Sequence, residues 1–155
     1  MTVPDDQPAM ATLLRQAIGL HQAGRLRQAQ PLYRRILDTA PAHFDALHLL
    51  GVSYYQLGDL DRASQLIGEA VRVDASNPHA FNNQGNVERA LGRLAAALES
   101  YDRALALKPD FAEVHYNRGN VLMDMGRPAE GPGFRGVTRQ PRRPHDRVET
   151  PSSAT

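Results

Sequence analysis

Residues 83–87 read Asn83-Gln84-Gly85-Asn86-Val87, and residues 117–121 repeat them 34 positions later as Asn117-Arg118-Gly119-Asn120-Val121. The same interval organises the chain on both sides of this pair. Gly24, Gly58, Gly92 and Gly126 stand 34 residues apart, as do Ala17, Gly51, Gly85 and Gly119. Ala29, Ala63 and Ala97 form a third column that ends at Gly131, Leu26, Leu60 and Leu94 a fourth, and Tyr33, Ile67 and Tyr101 a fifth. Pro41 and Pro109 share a column with Ala75. A fixed period of this length marks a stack of identical supersecondary units, each burying its apolar face against the next.

Each column has a physical reason. The glycines at 24, 58, 92 and 126 follow apolar-periodic stretches, where a helix end favours a left-handed residue. The small residues at 17/51/85/119 and 29/63/97 let two antiparallel helices approach closely. Leu13, Leu47 and Phe81, with Tyr33, Ile67 and Tyr101, fill the space between layers. Asn77-Pro78 suits an N-cap with proline in the first turn, and Asp110 followed by Glu113 has the spacing of a capping box. First helices are expected over 10–23, 44–57, 78–91 and 112–125, and second helices over 26–39, 60–73 and 94–107. The expected fold is all-α, a short right-handed α-solenoid of about three and a half 34-residue hairpins.

On these columns the chain resembles tetratricopeptide repeat proteins from residue 10 to residue 130. The family pattern is met by Leu47, Leu50, Gly51, Tyr54, Ala63, Ile67 and Ala70; it is departed from at Glu88, which stands with Tyr54 and Leu122, and at Ile36, which stands with Ala70 and Ala104. The expected units are a lead over 1–9, repeats over 10–43, 44–77 and 78–111, a partial repeat over 112–130, and a disordered Pro/Arg-rich tail over 131–155. The tail expectation rests on Gly131-Pro132-Gly133 and on prolines at 141, 144 and 151, which leave too little apolar surface to offset ordering entropy. Because periodicity stops inside a repeat, an out-of-frame end or a truncated gene is a further expectation, tested by translating the other two frames.

Charge and composition narrow the function. Residues 1–130 hold 13 Arg/Lys against 15 Asp/Glu, so the repeats lack a basic footprint for nucleic acid. The other five arginines lie in 131–155. There is no cysteine, hence neither disulfide nor thiolate chemistry, and no run approaches the length needed to span a bilayer. A cytoplasmic protein is expected. The six histidines form no His-Glu-x-x-His motif; His48 and His79 share the expected inner face but read first as packing or surface residues. No phosphate loop or nucleophile–base arrangement emerges, so no catalysis, cofactor or metal is expected.

The resemblance implies that first helices line a concave groove. It would be faced by Leu14, Ile18 and His21, then by His48, Leu49, Val52 and Tyr55. His79, Asn82, Asn83, Asn86 and Arg89 follow, then Glu113, Tyr116, Asn117, Asn120 and Asp124. The groove is apolar and aromatic toward its start and rich in carboxamides toward its end. Asn83 over Asn117 and Asn86 over Asn120 resemble two rungs of the asparagine ladder in O-linked N-acetylglucosamine transferases, a means of reading peptide backbone. A two-carboxylate clamp is disfavoured by Leu14, Ile18 and Leu49 at the positions that would carry Lys and Asn. The expected function is a scaffold for a protein or extended peptide; the alternative is the recognition domain of a truncated or split glycosyltransferase or sulfotransferase. Nothing in the sequence fixes the oligomeric state.

Overall fold

The structure, a computed structural model, describes residues 6–126. Seven α-helices occupy this span: α1 (Asp6–Gln22), α2 (Leu26–Thr39), α3 (Phe44–Gln56), α4 (Leu60–Val73), α5 (Pro78–Ala90), α6 (Leu94–Leu107) and α7 (Ala112–Asp124). The most extensive packing joins α1 to α2, α3 to α4 and α5 to α6, so the helices form consecutive hairpins, with α7 opening a fourth. The expected bounds of α2, α4 and α6 coincide with those observed, and α3, α5 and α7 end one residue early. α1 starts at Asp6, four residues before the expected start at 10. Pro8 does not prevent this, because the N–H that proline lacks is unpaired in a first turn anyway. The expected tail lies outside the described residues.

The helix ends show why the glycine column exists. At the end of α3, Gly58 has φ +86°, its N–H donates to Tyr55 O at 3.0 Å, and the Asp59 N–H donates to Tyr54 O at 2.9 Å. This pair of bonds closes the Schellman motif and requires the left-handed residue. The same pair recurs around Gly24 and Gly92.

The first-helix caps fall in a column of their own: His43, Asn77 and Phe111. Asn77 Oδ1 accepts from the N–H groups of His79 and Ala80, with Pro78 beginning the helix, and His43 Nδ1 accepts from Ala46 N–H at 3.2 Å. The capping box expected at Asp110 does not form. The N-cap of α7 is Phe111, whose side chain cannot accept, and Asp110 lies in the turn one residue earlier.

Small and bulky columns interlock between layers. Ala29, Ala63 and Ala97 are fully buried, and so are Tyr33, Ile67 and Tyr101. A Cβ added to Gly51 would lie 2.6 Å from Ile67 Cγ1, and one added to Gly85 only 2.5 Å from Tyr101 Cε1. The glycines of α3 and α5 are therefore seats for the bulky residue of the next helix. Ile36, a departure from the family pattern, is nevertheless fully buried in the first of two successive apolar clusters. The second cluster runs from Val71 to Val121.

The candidate binding face

Among the first helices, α3 also touches α5 and α5 touches α7, whereas second helices of neighbouring hairpins do not meet to that extent. A stack whose first helices crowd together while its second helices stand apart curves toward the first-helix side. The groove expected from the sequence is therefore the face of α1, α3, α5 and α7.

Side-chain hydrogen bonds cross this face from repeat to repeat. His21 Nε2 meets Gln56 Oε1 at 2.8 Å, Asn83 Nδ2 meets His48 Nε2 at 2.9 Å, and Asn117 Nδ2 donates to Asn82 Oδ1 at 3.1 Å. Arg89 Nε donates to Asp124 Oδ2 at 2.7 Å. All four rungs join residues 35 positions apart. Two diagonals, Asn82 Nδ2 to Glu113 Oε1 and Asn117 Nδ2 to Asn86 Oδ1, join residues 31 apart, one helical turn away from the rungs.

No hydrogen bond among the described residues joins the expected rungs, Asn83 with Asn117 or Asn86 with Asn120. The hydrogen bonds across the face join a side chain to the residue one position or about one turn away from its own column. Asn83 pairs with His48; Asn117 pairs with Asn82 and Asn86. Asn120, half-buried, makes no side-chain hydrogen bond within the described residues.

The remaining candidates divide between packing and groove. Leu49 and Val52 are half-buried against the first apolar cluster, as is Tyr55. His48 and Asn82 are buried; burial lowers the His48 pKa, with Asp45 opposing and His79 reinforcing the shift. His48 leans on the Phe44 ring and His79 stands edge-on to Phe111. No three His, Asp or Glu side chains gather as metal ligands among the described residues. Tyr116 is half-buried on α7. Tyr55, Asn86, Arg89, Ala90 and Asp124 line a depression of about 330 Å³.

Two hydroxyls reach this face from the second helices, a feature the sequence reading missed. Tyr33 OH bonds His21 Nδ1 at 3.1 Å, and Tyr101 OH donates to Asn86 Oδ1 at 2.6 Å. Burial pushes the Tyr33 phenol up to about 12 and raises that of Tyr101 as well, so both keep their protons at neutral pH. The available signal was the tyrosine shared by one column: a ring that fills the interlayer space carries a hydroxyl long enough to pass through it.

Helical hairpins at a 34-residue period, with Schellman turns and a first-helix groove, define an α-solenoid repeat protein. The tetratricopeptide repeat family model matches residues 20–85, and a second model, described as TPR repeat, matches residues 85–126. The chain belongs to the tetratricopeptide repeat family. Tetratricopeptide repeat protein 8 of Caenorhabditis elegans is 29% identical over 122 residues, 77% of this chain and 24% of that protein. An O-GlcNAc transferase from Thermobaculum terrenum superposes with a TM-score of 0.73 at 30% identity, over 79% of this chain and 23% of that one. The first tetratricopeptide domain of Spaghetti, bound to an HSP90 peptide, superposes with a TM-score of 0.73 at 20% identity, covering 76% of this chain and 93% of that domain. The chain thus spans about a quarter of the length of the first two.

Proposed function

We propose that this protein is a scaffold that holds an extended polypeptide along its first-helix groove and performs no chemistry of its own. The observation that carries this reading is the polar inventory around the depression. Tyr55 makes no side-chain hydrogen bond within the described residues and Arg89 uses only Nε; on α7, Asn120, which does not line the depression, is likewise uncommitted. Asn86 accepts twice through Oδ1 and spends neither hydrogen of its amide. Unspent donors suit a partner that brings carbonyls. In the Spaghetti domain the same fold holds a peptide; at 20% identity that likeness supports the architecture and not the ligand.

The test is to select peptides from a random displayed library on the immobilised protein and map the winners by amide chemical shifts. Shifts should gather at Tyr55, Asn86, Arg89, Tyr116, Asn117 and Asn120. Because Tyr55 and Asn120 are not tied into the fold by hydrogen bonds, replacing Asn120 by Ala and Tyr55 by Phe should weaken binding about tenfold and leave the melting temperature nearly unchanged. Peptides that map to α2, α4 and α6, with affinity untouched by the double substitution, would overturn the groove reading.

A second reading is favoured by the 30% identity to the Thermobaculum enzyme: a recognition arm serving a glycosyltransferase. Under it, the protein isolated from its source carries a polypeptide that transfers N-acetylglucosamine from its uridine diphosphate donor. Peptide binding in the absence of any such transferase supports the scaffold instead.

A further inference from the structure

The carboxamides of the groove form a relay with a defined sense. Asn82 Nδ2 donates to Glu113 Oε1 at 3.3 Å, Asn117 Nδ2 donates to Asn82 Oδ1 at 3.1 Å, and Asn117 Nδ2 also donates to Asn86 Oδ1 at 3.2 Å. A carboxylate can only accept. Glu113 therefore compels Asn82 to turn its nitrogen toward α7; the reverse orientation would set oxygen against oxygen. With its nitrogen so placed, Asn82 presents its oxygen to Asn117, which must answer with its own nitrogen. Both hydrogens of Asn117 Nδ2 are then committed, one to Asn82 and one to Asn86. Asn86 in turn must present its oxygen, and Tyr101, whose hydroxyl retains its proton, completes the set from behind at 2.6 Å.

Two atoms are left over: the nitrogen of Asn86 and the oxygen of Asn117. Neither has a partner within the described residues, and no side-chain nitrogen or oxygen buried among those residues lacks one, so both reach solvent. They belong to carboxamides joined to one another by the Asn117–Asn86 hydrogen bond, so one donor and one acceptor remain on a single carboxamide pair. Beside them the charges of Arg89 and Asp124 offset each other. In an extended chain the C=O and N–H of one residue point to the same side. They would meet this pair together, the ligand C=O on Asn86 and the ligand N–H on Asn117.

We propose that Glu113 is a positioning residue that fixes the sense of the Asn82–Asn117–Asn86 relay, so that Asn86 Nδ2 and Asn117 Oδ1 grip the main chain of one residue of an extended, uncharged peptide segment. The fixed order of donor and acceptor also fixes the direction in which that segment runs. This inference rests on the groove reading, but the relay itself is readable without any ligand.

The experiment is side-chain amide hydrogen exchange by NMR on the full chain, followed by titration with two probes, N-acetylglycine N-methylamide and sodium acetate. The amide protons of Asn82 and Asn117 should exchange roughly tenfold more slowly than those of Asn86. In Glu113→Gln the new amide can donate as well as accept, so the contrast should collapse, with protection appearing on Asn86. The neutral probe should shift the Asn86 and Asn117 amide resonances, and acetate at equal concentration should not. Protected Asn86 with freely exchanging Asn117 in the parent would overturn the relay. So would a contrast unchanged in Glu113→Gln. Acetate shifting the Asn86 amide while the neutral probe does not, or no shift with either, would overturn the ligand assignment. The relay protection pattern in a protein that selects no peptide would sink the groove reading and leave the relay standing.

Discussion

Gly85 and Gly68 both sit inside helices, yet they should respond to substitution in opposite ways. Tyr101 Cε1, Cδ1 and Cζ all lie within 2.8 Å of where a Gly85 Cβ would stand, and Tyr101 is fully buried, so its ring cannot yield. Gly85→Leu should cost about 1–3 kcal/mol by overpacking. Around Gly68 a Cβ would meet nothing within 4 Å, and Gly68→Ala should stabilise α4 by about 0.5–1 kcal/mol through backbone entropy. Denaturant titration of the two variants beside the parent checks both signs; equal effects would mean that α5 and α6 are not paired as described. The contrast between them was legible, because Gly85 lies in the small column and Gly68 in none. The partner of each asparagine was not legible. Columns report a spacing of 34, whereas the hydrogen bonds across the face join residues 35 or 31 apart, a choice made by tertiary geometry that the period does not carry.

At the level of the helices, two positions depart from what their columns allow. Pro31 is exposed inside α2, where Gln65 and Glu99 occupy the equivalent places in α4 and α6. It removes one N–H from the α2 ladder without contributing to the core. Pro31→Gln should raise stability, by up to about 3 kcal/mol, read as a higher denaturation midpoint. The second position is the start of α6. Arg25, Asp59 and Arg93 precede α2, α4 and α6 with similar backbone angles, yet only Asp59 caps, accepting from Arg62 N–H at 3.2 Å. Arg93→Asp should supply the missing acceptor and add about 1 kcal/mol, and a lower midpoint would show that the α6 entry differs from that of α4. Second-helix bounds were readable from the leucine and alanine columns alone. Caps were read less well: Asp110 has the right chemistry one residue too early, because a capping motif scanned locally ignores the 34-residue register that places Phe111 at the cap.

Across the whole molecule, two buried titrations pull stability in opposite directions with pH. His48 is disfavoured as a cation mainly by burial, so below its ordinary value of 6.5 the unfolded chain takes up a proton that the folded one resists. Stability from this group is present above that value and is lost as the pH falls toward the lowered folded value. Glu88 is the reverse. Burial raises its pKa despite Ser100 Oγ donating to its carboxylate at 2.7 Å, so its contribution is fully present below the ordinary 4.5 and is lost as the pH rises through the folded value. Glu88→Gln should therefore raise the melting temperature at pH 7 and have little effect below about pH 4. His48→Gln should flatten the decline between pH 7 and pH 5. Melting curves of parent and variants across this range test both; a Glu88→Gln gain that persists at pH 4 would trace the effect to packing rather than charge. That Glu88 broke the family pattern was visible in the sequence; that it found Ser100 across the α5–α6 contact was not, since neither residue belongs to a shared motif.

The cross-groove rungs give the array a one-way stiffness. His21–Gln56, His48–Asn83, Asn82–Asn117 and Arg89–Asp124 already stand at hydrogen-bonding distance, between 2.7 and 3.1 Å. Straightening the superhelix would draw the first helices apart and stretch all of them at once. Among the described residues no side-chain hydrogen bond joins one second helix directly to the next; the outer layer is held through the first helix of the following hairpin, as by Gln30 with Ser53 and Asp102 with Arg118. Under tension applied at its ends, the stack should behave as a pre-coiled spring whose stiff element is the inner seam, yielding abruptly as the rungs part.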